Sequence, residues 1–248
     1  MHSGRVYFIG IGPGDPEYLT LKAVKVLKTA DIIIYPGSLT TPELINYIKE
    51  LSTGAEVIDS YGKTLEDLRE IFKKAIDGKW IARLVSGDPA FYSSIQEQIE
   101  VLRELGVSFE IIPGISSACA GAAKLGIELT WKDVSHTVVF TRFKGKTGGI
   151  SEKELERIAM KNITMVFFLS VSKIKELQQV LIKKLSEDTP VALVYGVCHR
   201  DEKIVLTKLK EMDKKAEDLG LKKTTLIYVG KILEGTYKNF GQRSVLYA

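Results

Sequence analysis

The stretch that decides the fold is Val6-Tyr-Phe-Ile-Gly-Ile-Gly-Pro-Gly-Asp-Pro-Glu-Tyr-Leu-Thr20. It opens with an apolar run typical of a buried β-strand, and Gly10 then begins a loop rich in glycine and proline. Glycines permit positive φ and let a ligand approach the backbone, while prolines fix φ and stiffen the loop. Asp15 is placed either to cap the next turn or to bind a ligand. The stretch therefore predicts a strand that ends in a ligand platform.

The glycine spacing argues against a dinucleotide site. Gly10, Gly12 and Gly14 follow the pattern G-x-G-x-G, whereas the dinucleotide fingerprint is G-x-G-x-x-G and opens directly into a helix. Asp15 and Pro16 delay the helix and put a negative charge where the pyrophosphate would lie. A plain tight turn and a site for the neutral or cationic part of a ligand both remain open.

The composition is that of an ordinary globular protein. The chain has 248 residues, 45% of them hydrophobic and 27% charged, which is enough for the core of one large or two medium domains. No apolar run reaches the roughly 18 residues that a membrane span needs, so we expect no membrane partner. The formal net charge of +4 is spread along the predicted helices, which does not favour nucleic-acid binding but suits a polyanionic small substrate.

The two cysteines, Cys119 and Cys198, form neither a Cys-x-x-Cys pair nor a Cys/His cluster. This pattern favours reduced thiols in a cytoplasmic protein over a disulfide framework or a zinc site. No group of histidine, cysteine and aspartate residues has metal-ligand spacing, so we expect no metal site.

Strand and helix patterns alternate along the whole chain. Strands are predicted for residues 6–9, 32–35, 57–58, 80–85, 109–112, 137–141, 165–169, 191–195 and 226–229. Segments with helical spacing lie between them, as in α/β domains with buried parallel strands. We therefore expect two α/β domains, residues 1–115 and 116–248, with an interdomain cleft.

Three predicted strand ends carry loops built from glycine, serine, aspartate and proline. These loops begin at Gly10, Ser86 and Pro113. In an open α/β sheet, ligands bind beyond the carboxyl ends of the strands. We therefore expect the three loops to converge on one ligand.

The same loops carry a family resemblance. Gly10-Ile-Gly-Pro-Gly-Asp15, Ser86-Gly-Asp-Pro-Ala-Phe-Tyr92 and Pro113-Gly-Ile-Ser-Ser117 resemble, in this order, motifs of the tetrapyrrole (corrin/porphyrin) methylase family. Pro190-Val-Ala-Leu-Val194 and Thr224-Thr-Leu-Ile-Tyr-Val-Gly230 also fit, so the resemblance covers nearly the whole chain. It implies the tetrapyrrole methylase fold, a homodimer, and S-adenosylmethionine bound in the cleft, with S-adenosylhomocysteine as the product.

Further segments resemble one branch of that family. They are Tyr35-Pro-Gly-Ser-Leu39, Val134-Ser-His-Thr-Val-Val-Phe-Thr-Arg142, Lys144-Gly-Lys-Thr147 and Asp201-Glu-Lys-Ile204. This resemblance implies a C-methyltransferase of cobalamin (vitamin B12) biosynthesis acting at C-11 of precorrin-4 or cobalt-precorrin-4, with the presence of cobalt left open. The alternatives are another tetrapyrrole carbon, or a protein or RNA acceptor. A nucleotide-binding dehydrogenase or regulatory module is a third hypothesis, and the glycine spacing argues against it.

The resemblance also implies which residues contact the methyl donor. They are Pro13, Ser86, Gly87, Asp88, Phe91, Ser116, Ser117, Leu169 and Val197. Taken without the resemblance, Asp88 could equally form a turn before Pro89, and the two serines could cap the helix that follows them. Leu169 and Val197 would be assigned to the core.

Substrate binding is expected from Asp15, Ser38, His136 and Arg142. Arg142 is preferred because a precorrin carries many carboxylates and arginine pairs with carboxylates in a bidentate manner. Glu97 and Tyr92 are the candidate catalytic residues, since a cleft carboxylate could accept or relay a proton. Methyl transfer from a sulfonium is an in-line displacement from an activated donor, so it needs alignment and exclusion of water rather than a covalent nucleophile.

Overall fold

The structure is a computed structural model that describes residues 4–145, 148–221 and 223–237. Lys146 and Thr147, which belong to one of the segments with the family resemblance, lie outside the described residues. The chain divides into two compact units, Met1–Ser117 and Ala118–Ala248. Within the described ranges, no helix is both long enough and apolar enough to cross a membrane.

The first unit is a five-stranded parallel sheet with helices on both faces. Its strands are β1 (Arg5–Gly10), β2 (Ile32–Tyr35), β3 (Glu56–Asp59), β4 (Trp80–Val85) and β5 (Ser108–Ile112). Its helices are α1 (Leu21–Leu27), α2 (Pro42–Leu51), α3 (Leu65–Lys73) and α4 (Ile95–Glu104), and α5 (Ser117–Leu125) begins at its last residue. The strand order is β3-β2-β4-β1-β5, and every pair is parallel.

Strand β1 is apolar throughout because both of its faces are covered. Val6 and Phe8 pack with residues of α3 and α4, whereas Tyr7 and Ile9 pack with residues of α1 and α2. Alternate residues of a strand point to opposite faces of the sheet, so a central parallel strand becomes a continuous apolar run. Two hydrophobic layers therefore sandwich the sheet.

Strands β1 and β4 form the topological switch point of this sheet. They are neighbours, with Gly10 opposite Val85, and the chain leaves β1 towards β2 but leaves β4 towards β5. The connecting helices α1 and α4 consequently lie on opposite faces of the sheet. Open α/β sheets bind ligands beyond the strand ends at such a switch point.

The second unit is a mixed five-stranded sheet. Its strands are β6 (Thr137–Thr141), β7 (Ile163–Phe167), β8 (Pro190–Tyr195), β9 (Lys203–Lys208) and β10 (Thr225–Val229), in the order β6-β7-β10-β8-β9. Strands β6 and β7 are parallel, and the other pairs are antiparallel. Helices α6 (Glu152–Ile158), α7 (Ile174–Ile182) and α8 (Met212–Asp218) cover one face of the sheet.

Helix α5 packs on this unit through Tyr228 of β10. The Tyr228 hydroxyl donates a hydrogen bond of 2.8 Å to the backbone oxygen of Ala118. A Cβ on Gly121 would lie 2.2 Å from the same hydroxyl oxygen, so only glycine lets the helix approach this ring. The run of small residues in α5 is therefore explained by close packing.

The α/β fold class is confirmed, and two strand predictions need correction. The strand predicted for residues 165–169 is wrong at both ends, because β7 spans Ile163–Phe167 and Leu169 has a left-handed backbone with φ of 51°. Strand β9 was not predicted. It is an edge strand in which three of the six residues are polar or charged, which weakens the apolar signal that marks buried strands.

Candidate functional site

Two loops at the switch point are joined by a main-chain bridge. The Gly12 nitrogen donates to the Gly87 oxygen over 3.2 Å, and the Gly87 nitrogen donates to the Gly12 oxygen over 2.8 Å. This antiparallel bridge lies just beyond the ends of the parallel strands β1 and β4. The loop after β1 and the loop after β4 are therefore one hydrogen-bonded unit.

The loop after β5 packs against this bridge. A Cβ on Gly114 would lie 2.3 Å from the Gly87 oxygen and 2.7 Å from the Gly10 Cα. Real Cβ atoms do not approach backbone atoms this closely, so the three backbones can meet only because these residues are glycines. The three loops therefore meet, and their binding of one common ligand stays a prediction.

The carboxylate of Asp88 connects two of these loops. Oδ1 accepts a hydrogen bond from the Ala90 nitrogen over 2.7 Å, and Oδ2 accepts one from the Gly114 nitrogen over 3.0 Å. The first bond forms an Asx turn, so the turn that the sequence offered as an alternative role is present. A contact between Asp88 and the methyl donor stays a prediction.

The first unit's predicted donor residues all follow the carboxyl ends of β1, β4 or β5 at this one edge of the sheet. They are Pro13, Ser86, Gly87, Asp88, Phe91, Ser116 and Ser117. Pro13 and Ser116 are buried, whereas Ser86 and Phe91 are partly exposed. The residues that the sequence analysis assigned to the methyl donor therefore lie at one edge of the sheet in the fold.

Gly87 lies beside the start of α5. Its φ is +68°, and a Cβ built on it would be in ordinary contact with the Ser117 nitrogen, its nearest neighbour at 3.7 Å. Ser117 begins α5, and the first N–H groups of a helix have no partner within the helix. A backbone donor at a helix start suits the carboxylate end of an amino-acid ligand.

The loop after β4 is strained. Tyr92 and Ser94 have φ values of 52° and 54°, in the left-handed region that costs free energy for any residue with a Cβ. Strain of this kind persists only where the surroundings impose it, and it is frequent at functional sites. Tyr92 is 46% exposed, and Glu97 is exposed in the first turn of α4. Their catalytic roles stay predictions.

The predicted substrate residues of the first unit lie on neighbouring loops. Asp15 caps a short 3₁₀ turn by accepting a hydrogen bond from the Glu17 nitrogen, and Ser38 is exposed in the turn after β2. Thr41, whose hydroxyl both caps α2 and donates to the Gly14 oxygen over 2.6 Å, ties the loop after β1 to this region. The sequence analysis missed this bond, because the partner lies 27 residues away.

In the second unit, three predicted residues lie at one edge of the sheet. Arg142 follows β6, Leu169 follows β7 and Val197 follows β8, and these three strands run in the same direction. Leu169 is 43% exposed, whereas Val197 is buried. His136 precedes β6, so the length of the strand, about 3.3 Å per residue, separates it from Arg142. The structure does not bring His136 to this edge.

A buried hydroxyl that the sequence analysis missed holds this edge. The Ser170 hydroxyl donates to the Phe168 oxygen over 2.7 Å and accepts from the Phe143 nitrogen over 2.9 Å. The two bonds span Leu169 and link the segment after β7 to the residue after Arg142. A serine between apolar residues carries no sequence signal for such a bridge.

Comparison with known proteins supports the family resemblance that these loops carry. The sequence model for Tetrapyrrole (Corrin/Porphyrin) Methylases matches residues 5–213. The chain is 43% identical to the cobalt-precorrin-4 C(11)-methyltransferase of Methanocaldococcus jannaschii, over 94% of this chain and 90% of that protein. It is 34% identical to the precorrin-4 C(11)-methyltransferase of Pseudomonas aeruginosa, over 92% and 90% of the two chains.

A solved structure has the same architecture. The crystal structure of a cobalt precorrin-4 methyltransferase of cobalamin biosynthesis is similar with a TM-score of 0.84 and 37% identity, over 92% of this chain and 95% of that one. The resemblance that the loop motifs predicted is therefore confirmed. The chain belongs to the tetrapyrrole (corrin/porphyrin) methylase family.

Proposed function

We propose that the protein transfers a methyl group from S-adenosylmethionine to C-11 of precorrin-4 or cobalt-precorrin-4 in cobalamin biosynthesis. The observation that carries the proposal is the platform of three glycine loops at the switch point of the first sheet. The choice of acceptor is supported by the relatives named above, which are similar to this chain over nearly its whole length.

The chain's own residues have to hold and orient the donor. Bound S-adenosylmethionine supplies a methyl group on a positively charged sulfur, already activated for displacement. The space between Gly87 and the Ser117 nitrogen suits the amino-acid end of the donor. Pro13 and Ser116 are buried in the loops that frame this space, so they can fix its shape and exclude water.

The acceptor side is assigned to residues on the loops after β1, β2, β4 and β6 and at the start of α4. Glu97 lies at the start of α4, and Tyr92 lies on the loop before it. We propose that they accept or relay the proton that the methylated ring system loses. Asp15 and Ser38 lie on loops after β1 and β2, where a bulky substrate can reach them. Arg142 is proposed to pair with a substrate carboxylate. His136 lies at the other end of β6 and is not part of this proposal.

We also propose a cytoplasmic homodimer. The family resemblance supports the dimer, and the free thiols of Cys119 and Cys198 support a reducing compartment. Light scattering during gel filtration gives the oligomeric state: a mass of two chains is expected, and a mass of one chain would contradict the dimer.

The decisive experiment is a methylation assay with donor carrying ¹³C in its methyl group. Precorrin-4 and cobalt-precorrin-4 are tested in separate reactions, and the product is expected to carry one extra methyl group with ¹³C at C-11 by mass spectrometry and NMR. Label at another ring carbon would support the alternative acceptor. The proposal would be overturned if neither tetrapyrrole gained the label and calorimetry showed no binding of S-adenosylhomocysteine.

A matched variant tests the position of the donor site. Gly87→Val places a branched side chain against the Ser117 nitrogen, where the donor is proposed to bind, so it is expected to abolish binding of S-adenosylhomocysteine. Gly126→Val is the control, because Gly126 also has a positive φ (67°) but has no atom within 4 Å of an added Cβ. Loss of binding in both variants would show a folding defect instead of a blocked site.

A further inference from the structure

Arg83 is a cation in the middle of β4 with a neutral partner. Its Nε donates to the Gln98 Oε1 over 3.0 Å, and its Nη1 donates to the Leu84 oxygen over 3.0 Å. No carboxylate in the described part of the chain lies within 4.0 Å of its guanidinium nitrogens. Burial lowers the pKa of Arg83 to about 10, so the side chain still carries its charge at neutral pH.

Gln98 connects Arg83 to the strained loop after β4. It is 5% exposed on α4, and its Nε2 donates to the Ser94 oxygen over 3.1 Å. A guanidinium can only donate hydrogen bonds, so it fixes the amide of Gln98 with the oxygen towards Arg83 and the NH₂ group towards Ser94. The orientation of the glutamine is therefore set by the arginine.

Ser94 needs such a contact because nothing in its own side chain stabilises its backbone. It precedes α4 with φ of 54°, and its side chain makes no capping hydrogen bond. Tyr92, two residues earlier, is also left-handed. The neighbouring Ser93 hydroxyl closes the loop on its other side by donating to the Pro89 oxygen over 2.6 Å.

We propose that Arg83 and Gln98 are positioning residues for methyl transfer. The half-buried Arg83 guanidinium orients Gln98, and Gln98 holds the Ser94 carbonyl. The turn 92–94 is thereby kept in the conformation that presents Tyr92 and the start of α4 to the tetrapyrrole. This inference rests on the proposed function, in which Tyr92 and Glu97 serve the acceptor side.

The variant Gln98→Glu separates positioning from folding. A carboxylate at position 98 accepts from Arg83 as an ion pair, so the fold keeps its contact to β4. It has no proton to donate to the Ser94 oxygen, so the contact to the loop is lost. We expect unchanged or higher thermal stability, unchanged affinity for S-adenosylhomocysteine, and kcat/KM for the tetrapyrrole lower by about tenfold.

Gln178→Glu is the matched control. Gln178 is also a buried glutamine, 6% exposed, whose Nε2 donates to a backbone oxygen, that of Leu209, over 2.7 Å. A carboxylate there has no guanidinium partner among the described contacts, so we expect lower thermal stability and an unchanged kcat/KM. The proposal would be overturned if kcat/KM for Gln98→Glu stayed within about twofold of the wild-type value. It would also be overturned if the affinity for S-adenosylhomocysteine fell by the same factor as kcat/KM.

Hydrogen exchange tests the contact without any turnover. Peptides that cover residues 86–98 are expected to exchange faster in Gln98→Glu than in the wild type, while Gln178→Glu leaves them unchanged. Equal exchange in the wild type and Gln98→Glu would overturn the positioning role. Wild-type protein that methylates no tetrapyrrole would contradict the proposed function, and the exchange result would then decide the positioning role independently.

Discussion

Asp88 Oδ2 lies 3.0 Å from the Gly114 nitrogen and accepts its hydrogen bond, so an acidic side chain after β4 holds the loop after β5. Because Oδ1 is also used, by the Ala90 nitrogen, the residue needs two acceptor atoms pointing at two donors. Aspartate supplies both, while asparagine supplies only one. The position therefore has a structural demand of its own, besides its predicted contact with the donor.

Replacing Asp88 tests this demand. Asp88→Ala leaves two N–H groups without their partner and should lower the free energy of unfolding by about 1–3 kcal/mol, while Asp88→Asn should lower it by about half as much. Urea denaturation measures both, and calorimetry with S-adenosylhomocysteine shows whether affinity falls beyond the loss of stability. Wild-type stability in Asp88→Ala would contradict the structural role.

Gly114→Ala should disrupt the platform. Its Cβ would lie 2.3 Å from the Gly87 oxygen, so the loops must separate, and we expect a loss of about 2–4 kcal/mol in unfolding free energy together with loss of donor binding. Gly126→Ala is the control, since its added Cβ meets nothing within 4 Å and only the left-handed backbone is penalised, by about 1–2 kcal/mol. Equal effects on binding would argue against a special role for the three-loop junction.

Ser170→Ala should weaken the edge of the second sheet. Ser170 is 1% exposed, and its removal leaves the buried Phe143 nitrogen without the hydroxyl that accepts its hydrogen bond. The expected cost is about 1–3 kcal/mol by urea denaturation. Ser172→Ala, at an exposed position, should change stability by less than about 0.5 kcal/mol. Equal stability of the two variants would contradict the bridging role of the Ser170 hydroxyl.

Acid should remove the contribution of Asp31 to the free energy of unfolding. The Trp80 N–H, donated over 2.8 Å, and then the Lys79 ammonium hold the pKa of Asp31 below its ordinary value. A lowered pKa in the folded state stabilises the protein above the unfolded value of about 4, and this contribution disappears as the pH falls through the folded value. The stability difference between wild type and Asp31→Asn should therefore be constant near neutral pH and shrink below about pH 4.

Lys79→Met provides the control for the acid effect. Because the Trp80 N–H is the larger cause, this variant should keep most of the pH dependence that distinguishes wild type from Asp31→Asn. A pH dependence that disappears in Lys79→Met would instead make the ion pair the main cause.

The parts of the fold that could be predicted are those with a local signature. Strand β1 was recognisable because burial on both faces makes it apolar throughout, and the loops were recognisable because close backbone approach requires glycine at Gly10 and Gly114. Helix α2 was recognisable by the cap at Thr41.

The remaining parts depend on partners that are distant in the sequence. The bond from Arg83 to Gln98 and the bond from Asp88 to Gly114 join residues 15 and 26 positions apart, on different elements. Such pairs leave no periodic pattern, so they become visible only when the sheet order places the elements side by side. The same holds for the left-handed backbone of Leu169, which a leucine does not signal.

The main-chain bridge between Gly12 and Gly87 has a consequence for how such an enzyme can change. The two hydrogen bonds of the bridge use main-chain atoms alone, so substitutions at loop positions that do not pack against Gly12 or Gly87 leave them in place. One scaffold can thus keep its donor platform while the side chains that meet the acceptor diverge. New acceptor preferences can then arise by successive substitutions that are each open to selection, without a stage at which binding of the methyl donor is lost.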